Sequence, residues 1–161
     1  ALSEGRMDIY QANKEIRQIK EIRQFKGAIT GLAYIGVAMF FTLLIGGSPL
    51  DCLVAGVAGV SMAITQWFLV PFGFNSFFLN MISTLTMAMI AIIFKRYFLF
   101  AIDLDLVIIG GIMPIVPGVV FTTAIRDTLN GDYTSGVSRI LEAAVVGIAV
   151  AVGVALAYLI L

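Results

Sequence analysis

The distribution of charge constrains this chain more than any other feature: residues 27–50, 52–94, 106–125 and 143–161 contain no Lys, Arg, Asp or Glu. A helix needs roughly 20 apolar residues, at about 1.5 Å each, to cross about 30 Å of hydrocarbon. The first, third and fourth gaps each fit one crossing. The second is long enough for two, and Val70-Pro71-Phe72-Gly73-Phe74-Asn75 near its middle supplies turn residues. The predicted fold class is an all-α integral membrane protein of about five transmembrane helices, with spans near 27–47, 50–70, 76–94, 104–125 and 139–161. Residues 1–26 form a cytoplasmic helical segment and residues 27–161 the transmembrane domain.

Composition agrees with a lipid-covered surface, since 60% of the 161 residues are hydrophobic and 12% charged, with a mean hydropathy of +1.03. Ten basic and ten acidic residues cancel, so no global field draws in nucleic acid. Histidine is absent and Cys52 is the single cysteine. That composition argues against a zinc site, a disulfide framework and a serine-histidine hydrolase. No catalytic residue, metal or cofactor is expected, and an enzyme is the least favoured class. The bilayer and a small-molecule substrate are the expected partners.

Residues 8–26 read as a polar helix, with Asp8 and Gln11 resembling a capping box and Ile9, Ile16, Ile19, Ile22 and Phe25 interleaved with Lys14, Arg17, Lys20 and Arg23. With this end in the cytoplasm, the basic residues at 6, 14, 17, 20, 23, 26, 126 and 139 fall inside and only Lys95 and Arg96 outside. Leu161 then lies on the outer side, and Lys95-Arg96 would snorkel to the interface. The charged segment ahead of the first span argues against a signal peptide. Because the chain opens on Ala1, an upstream region is expected. Gly27 and Gly31, then Ala143, Gly147, Ala151 and Ala155, repeat at helix-packing intervals, serving either packing within the subunit or a subunit interface.

The most informative stretch is Gly110-Gly111-Ile112-Met113-Pro114-Ile115-Val116-Pro117-Gly118. Pro114 and Pro117 cannot donate to the carbonyls of Gly110 and Met113, and Gly118 tolerates unusual backbone, so the fourth span should break. A break in lipid persists only where protein or a watery cavity covers it, as in many transporters; the plainer alternative is a packed kink. The N–H groups of Val119, Val120 and Phe121 would give the break a positive pole for a carboxylate. The freed carbonyls would suit an ammonium group or cation. The predicted substrate-lining set is Gly110, Met113, Pro114, Pro117, Gly118, Val119, Thr122 and Arg126.

Acidic candidates for proton or ion coupling are Asp103, Asp105, Asp127 and Glu142. Asp103 and Asp105 either cap the fourth span or serve the pore mouth. Arg126-Asp127, the Asn130-Gly131-Asp132-Tyr133 turn, Arg139 and Glu142 form either a tight hairpin with a local ion pair or a site where Arg126 binds a carboxylate and exchanges acidic partners. Asp51, Asn75, Asn80, Ser83, Thr84 and Thr86 are expected in helix-to-helix hydrogen bonds.

Met113-Pro114-Ile115-Val116-Pro117-Gly118, Ala124-Ile125-Arg126-Asp127, Asn130-Gly131-Asp132 and Ser135-Gly136 together resemble the signature of the threonine/serine exporter family. The likeness spans nearly the whole chain and is nearest to the family's N-terminal half, found as a separate bacterial inner-membrane subunit and related to succinate-exporter subunits. It implies proton-driven export of threonine and serine or of dicarboxylates such as succinate. The family's longer cytosolic region and second membrane half are missing from this sequence, which implies a second membrane subunit or a homo-oligomer. Two other functions compete: a passive oligomeric channel, and a membrane scaffold or accessory subunit that transports nothing.

Overall fold

A computed structural model describes residues 27–98 and 101–161, and every element among them is helical. The helix expected over 8–26 lies outside the described residues. The chain forms α1 (Gly27–Leu44), α2 (Pro49–Leu69), α3 (Ser76–Ile93), α4 (Leu104–Ile112), α5 (Gly118–Leu129) and α6 (Tyr133–Ile160). A single 3₁₀ turn, Val70–Phe72, follows α2, and a π turn, Phe94–Phe98, continues α3. This is an all-α membrane protein. The stretches Pro49–Phe72, Ser76–Phe98 and Tyr133–Ile160 are each long and apolar enough to cross a bilayer, and a shorter apolar helix covers Ile29–Leu44.

Local rules explain the boundaries. Ser48 caps α2 with Pro49 in its first turn; the Asp51 N–H donates to the Ser48 hydroxyl at 3.2 Å and the Ser48 N–H to the Asp51 carboxylate at 2.7 Å, a reciprocal capping box. The α2–α3 turn closes at Gly73, whose φ of 70° is a left-handed conformation that glycine adopts without strain. Asn75 caps α3. Helix α6 starts at Tyr133, ahead of the last span expected near 139–161. Asp132 accepts the Ser135 N–H at 3.1 Å and so extends the helix past Arg139.

The core lies among α2, α3 and their neighbours. Ala38, Val54, Ala55, Ala91, Ile102, Val107 and Ile108 form one buried cluster, and Ala58, Met62 and Met87 a second. Backbones approach closely at glycines. A methyl group on Gly59 would stand 3.2 Å from the Ile35 Cα, and one on Gly153 only 2.5 Å from the Met81 carbonyl oxygen. The latter fixes α6 against α3. The Thr65 and Thr86 hydroxyls, 2.9 Å apart, join α2 to α3. Ser83 and Thr84, expected in such inter-helix bonds, instead donate to carbonyls of their own helix.

Candidate functional site

The helical run over 104–129 is interrupted where the sequence places two prolines. Helix α4 ends at Ile112, five residues follow, and α5 begins at Gly118 with Pro117 at its cap. At nine and twelve residues, neither helix is long enough to cross a bilayer alone; end to end the two would rise about 31 Å. The turn satisfies part of itself: Ile115 and Val116 both donate to the Ile112 carbonyl, and Gly118 donates to Val116 at 2.8 Å. Two expectations need correction. The Gly110 carbonyl is not freed, since it accepts the Met113 N–H at 3.3 Å, and the Phe121 N–H is taken by the Pro117 carbonyl at 3.0 Å. Among the described residues, the carbonyls of Met113, Pro114 and Ile115 and the N–H groups of Val119 and Val120 have no hydrogen-bond partner. Both signs of main-chain dipole therefore occur in the break.

One flank of the break is packed and the other opens. Ile112 and Ile115, like Tyr34, lie against the Ala58, Met62 and Met87 cluster. Gly110 faces α1, where a methyl group would sit 2.9 Å from the Thr42 nitrogen, so it serves helix contact rather than the open side. On the opposite flank, Val116 and Pro117 border two adjoining grooves against α6. One, of about 530 Å³, runs between Ile108 and Ile112 of α4 and Gly147, Ala151 and Ala155 of α6. The other, of about 340 Å³, runs between Gly118 and Phe121 of α5 and Ile140, Ala143 and Ala144 of α6. The walls are apolar, so polar recognition here falls to the main chain. The Thr122 hydroxyl is turned back onto the Val119 carbonyl at 3.0 Å.

At the end of the bundle holding the start of α4, Asp103 accepts the N–H groups of Asp105 and Leu106 at 3.1 and 3.3 Å and caps the helix. Its own N–H donates to buried Asp51 at 2.8 Å. Asp51 thus ties the start of α2 to the start of α4, a link between residues 52 apart in sequence. The Ser-x-x-Asp spacing at 48–51 signals the cap but not the second bond. Lys95 Nζ donates to the Ile102 carbonyl and Arg96 to the Leu161 carbonyl, both at 2.5 Å. Lys95 thus reaches the turn ahead of α4, and Arg96 the C-terminal end of α6. Asp105 stands exposed in the first turn of α4.

At the other end, Asp127 is brought to Arg139 of α6 at 3.0 Å, with Arg126 at 3.9 Å from the same carboxylate. The sequence reading pairs Asp127 or Glu142 with Arg126; in the structure Arg139 is the nearer partner of Asp127, Arg126 is exposed, and Glu142 lines a polar surface hollow with Thr134, Ser135, Ser138 and Arg139. The hydroxyl and N–H of Ser135 hold the Asp132 carboxyl below the usual aspartate range.

A family model described as "Putative threonine/serine exporter" matches residues 1–161. No curated protein and no solved structure matches the chain.

Proposed function

The chain belongs to the threonine/serine exporter family, and on that premise we propose that it exports small polar metabolites along the groove beside the α4–α5 break. The threonine and serine of the family description are the first candidates, and dicarboxylates such as succinate the second. The observation that carries this reading is the break itself, where unpartnered carbonyls of Met113, Pro114 and Ile115 stand near the unpartnered N–H groups of Val119 and Val120. An amino acid is a zwitterion. Its carboxylate matches a helix N-terminus, and its ammonium group matches free carbonyls. Since the groove walls carry no charge, main-chain dipoles supply recognition at the break, and Arg126 serves the carboxylate at the inner mouth. Asp103, Asp105, Asp127 and Glu142 remain the candidates for a coupled proton.

Counting α1 and the α4–α5 pair as crossings gives five, with residue 27 on the cytoplasmic side of a bacterial inner membrane. Arg126 and Arg139 then fall inside, as the excess of basic residues there requires. A second copy or a second membrane subunit completes the path. Against a passive channel, uphill flux is decisive; against a scaffold, any flux is. The test is efflux of labelled threonine, serine and succinate from proteoliposomes holding the purified protein, with and without an imposed pH gradient. Gradient-driven efflux above the substrate equilibrium is expected. Equal flux with and without the gradient would replace the exporter by a channel, and no flux from folded protein would leave the scaffold.

A further inference from the structure

We propose that the open flank of the break is the interface of a two-fold dimer, in which the groove of one copy faces the groove of a second copy and the two breaks share one enclosed path. The proposal rests on the exporter reading above and adds what closes the groove. Val116 and Pro117 line both grooves, and Gly118 the second. A methyl group added to Gly118 on one wall or to Gly147 on the other meets no atom, so the groove stands open between them. Val116, Gly118 and Val119 are exposed, Val119 by 79%. The Val119 N–H, set between the last two, has no hydrogen-bond partner.

Lipid cannot cover such a flank. An unsatisfied main-chain group is tolerated at membrane depth only where protein or a protein-lined watery cavity covers it, and an acyl chain offers no hydrogen bond. A water-soluble partner does not suit walls that carry no charged side chain and are bordered by the exposed Val145, Ile148 and Val152 of α6. What remains is another membrane helix face, and two features select a second copy of this one. A two-fold interface sets residue i against j and j against i, so one patch must carry both halves of each match. Here the hollow at Gly147, Ala151 and Ala155 runs beside the projecting Ile148 and Val152, hole and knob on one helix. The turn likewise presents both main-chain signs, in the carbonyls of Met113, Pro114 and Ile115 and the N–H groups of Val119 and Val120. A two-fold axis along the membrane normal brings two such turns to one depth. Donors of either copy then serve acceptors of the other, directly or through a zwitterion held between them. The patch is also long enough, since α6 rises about 22 Å from Ile140 to Ala155, most of the roughly 30 Å of hydrocarbon.

The test reads association, not flux. Dye-labelled protein is reconstituted into liposomes over a range of protein-to-lipid ratios, and the dimer fraction is read by energy transfer between copies. Gly147→Trp fills space that is open within the subunit; it should weaken the dimer at least about tenfold, the cost of one overpacked side chain, with helix content unchanged. Gly36→Trp on α1, where an added methyl group also meets no atom, should leave the dimer intact. In a Cys52→Ser background, oxidation should join copies carrying Ala151→Cys and not copies carrying Phe40→Cys, whose side chain on α1 is exposed. A monomer at every ratio overturns the proposal and leaves the flank to an unlike subunit. A dimer indifferent to Gly147→Trp, or joined through residue 40 as readily as through 151, overturns it as well. The expected dimer without efflux would sink the exporter reading and leave the interface standing, whereas efflux from a monomeric Gly147→Trp protein would do the reverse.

Discussion

Replacing Pro114 and Pro117 together by alanine should mend the fourth crossing and stop transport. Alanine restores two N–H donors. At 117 the waiting acceptor is the unpartnered Met113 carbonyl, and at 114 it is the Gly110 carbonyl, now held only by a 3.3 Å bond from Met113. A proline inside a helix costs about 3 kcal/mol, so removing two shifts the balance toward a continuous helix by about 6 kcal/mol. Gly118 opposes this by roughly 1 kcal/mol. Straightening also draws α5 from α6, where a methyl group on Gly136 would stand 3.1 Å from the Ala124 carbonyl, a close fit that would be lost. If those terms absorb half the shift, about 3 kcal/mol remains, which at about 1.4 kcal/mol per decade favours the mended helix by roughly 100-fold. Efflux should fall to on the order of 1% of the unaltered protein. Hydrogen exchange across residues 110–119, in the same proteoliposomes, should show new protection. A mended, protected helix with undiminished efflux would refute the claim that the break is the site.

Two further predictions concern stability. Gly153→Ala places a methyl group 2.5 Å from the Met81 carbonyl and 3.1 Å from the Leu85 nitrogen, and such overpacking should cost about 1–3 kcal/mol in denaturant titrations in detergent. Gly147→Ala, with open space around it, should be neutral in the same titration. Asp51→Ala strands the Ser48 and Asp103 N–H groups that now lie 2.7 and 2.8 Å from the carboxylate; at about 1–3 kcal/mol for each unsatisfied donor, the melting temperature should drop clearly. Asp51→Asn keeps one acceptor and should fall between the two. Equal melting temperatures for all three proteins would show that Asp51 does not hold α4 to α2.

The helices of this protein were legible in its sequence because lipid imposes a length on apolar runs and because Pro71, Gly73, Pro114, Pro117 and Gly131 punctuate them locally. The break at 113–117 follows from proline chemistry alone. Helix α6 begins six residues ahead of the span expected from 139, because the Asp132 cap starts it outside the apolar run. The Asp51–Asp103 link and the nearness of Asp127 to Arg139 depend on where helices meet, which no local rule gives.

The stripe at 143, 147, 151 and 155 shows the deeper reason for such misses. In water, a buried face announces itself by being apolar among polar neighbours, but in lipid both faces are apolar, and small residues are the remaining cue to contact. That cue is ambiguous. The tightest approaches of α6 are made by Gly136 and Gly153, which the stripe omits, whereas Gly147, Ala151 and Ala155 face the groove and Gly147 touches nothing. Small residues narrow a helix wherever they occur. Against another helix the result is close packing; beside a broken one it is room, and only the placement of α4 on α2 and α3 decides that here the stripe makes room.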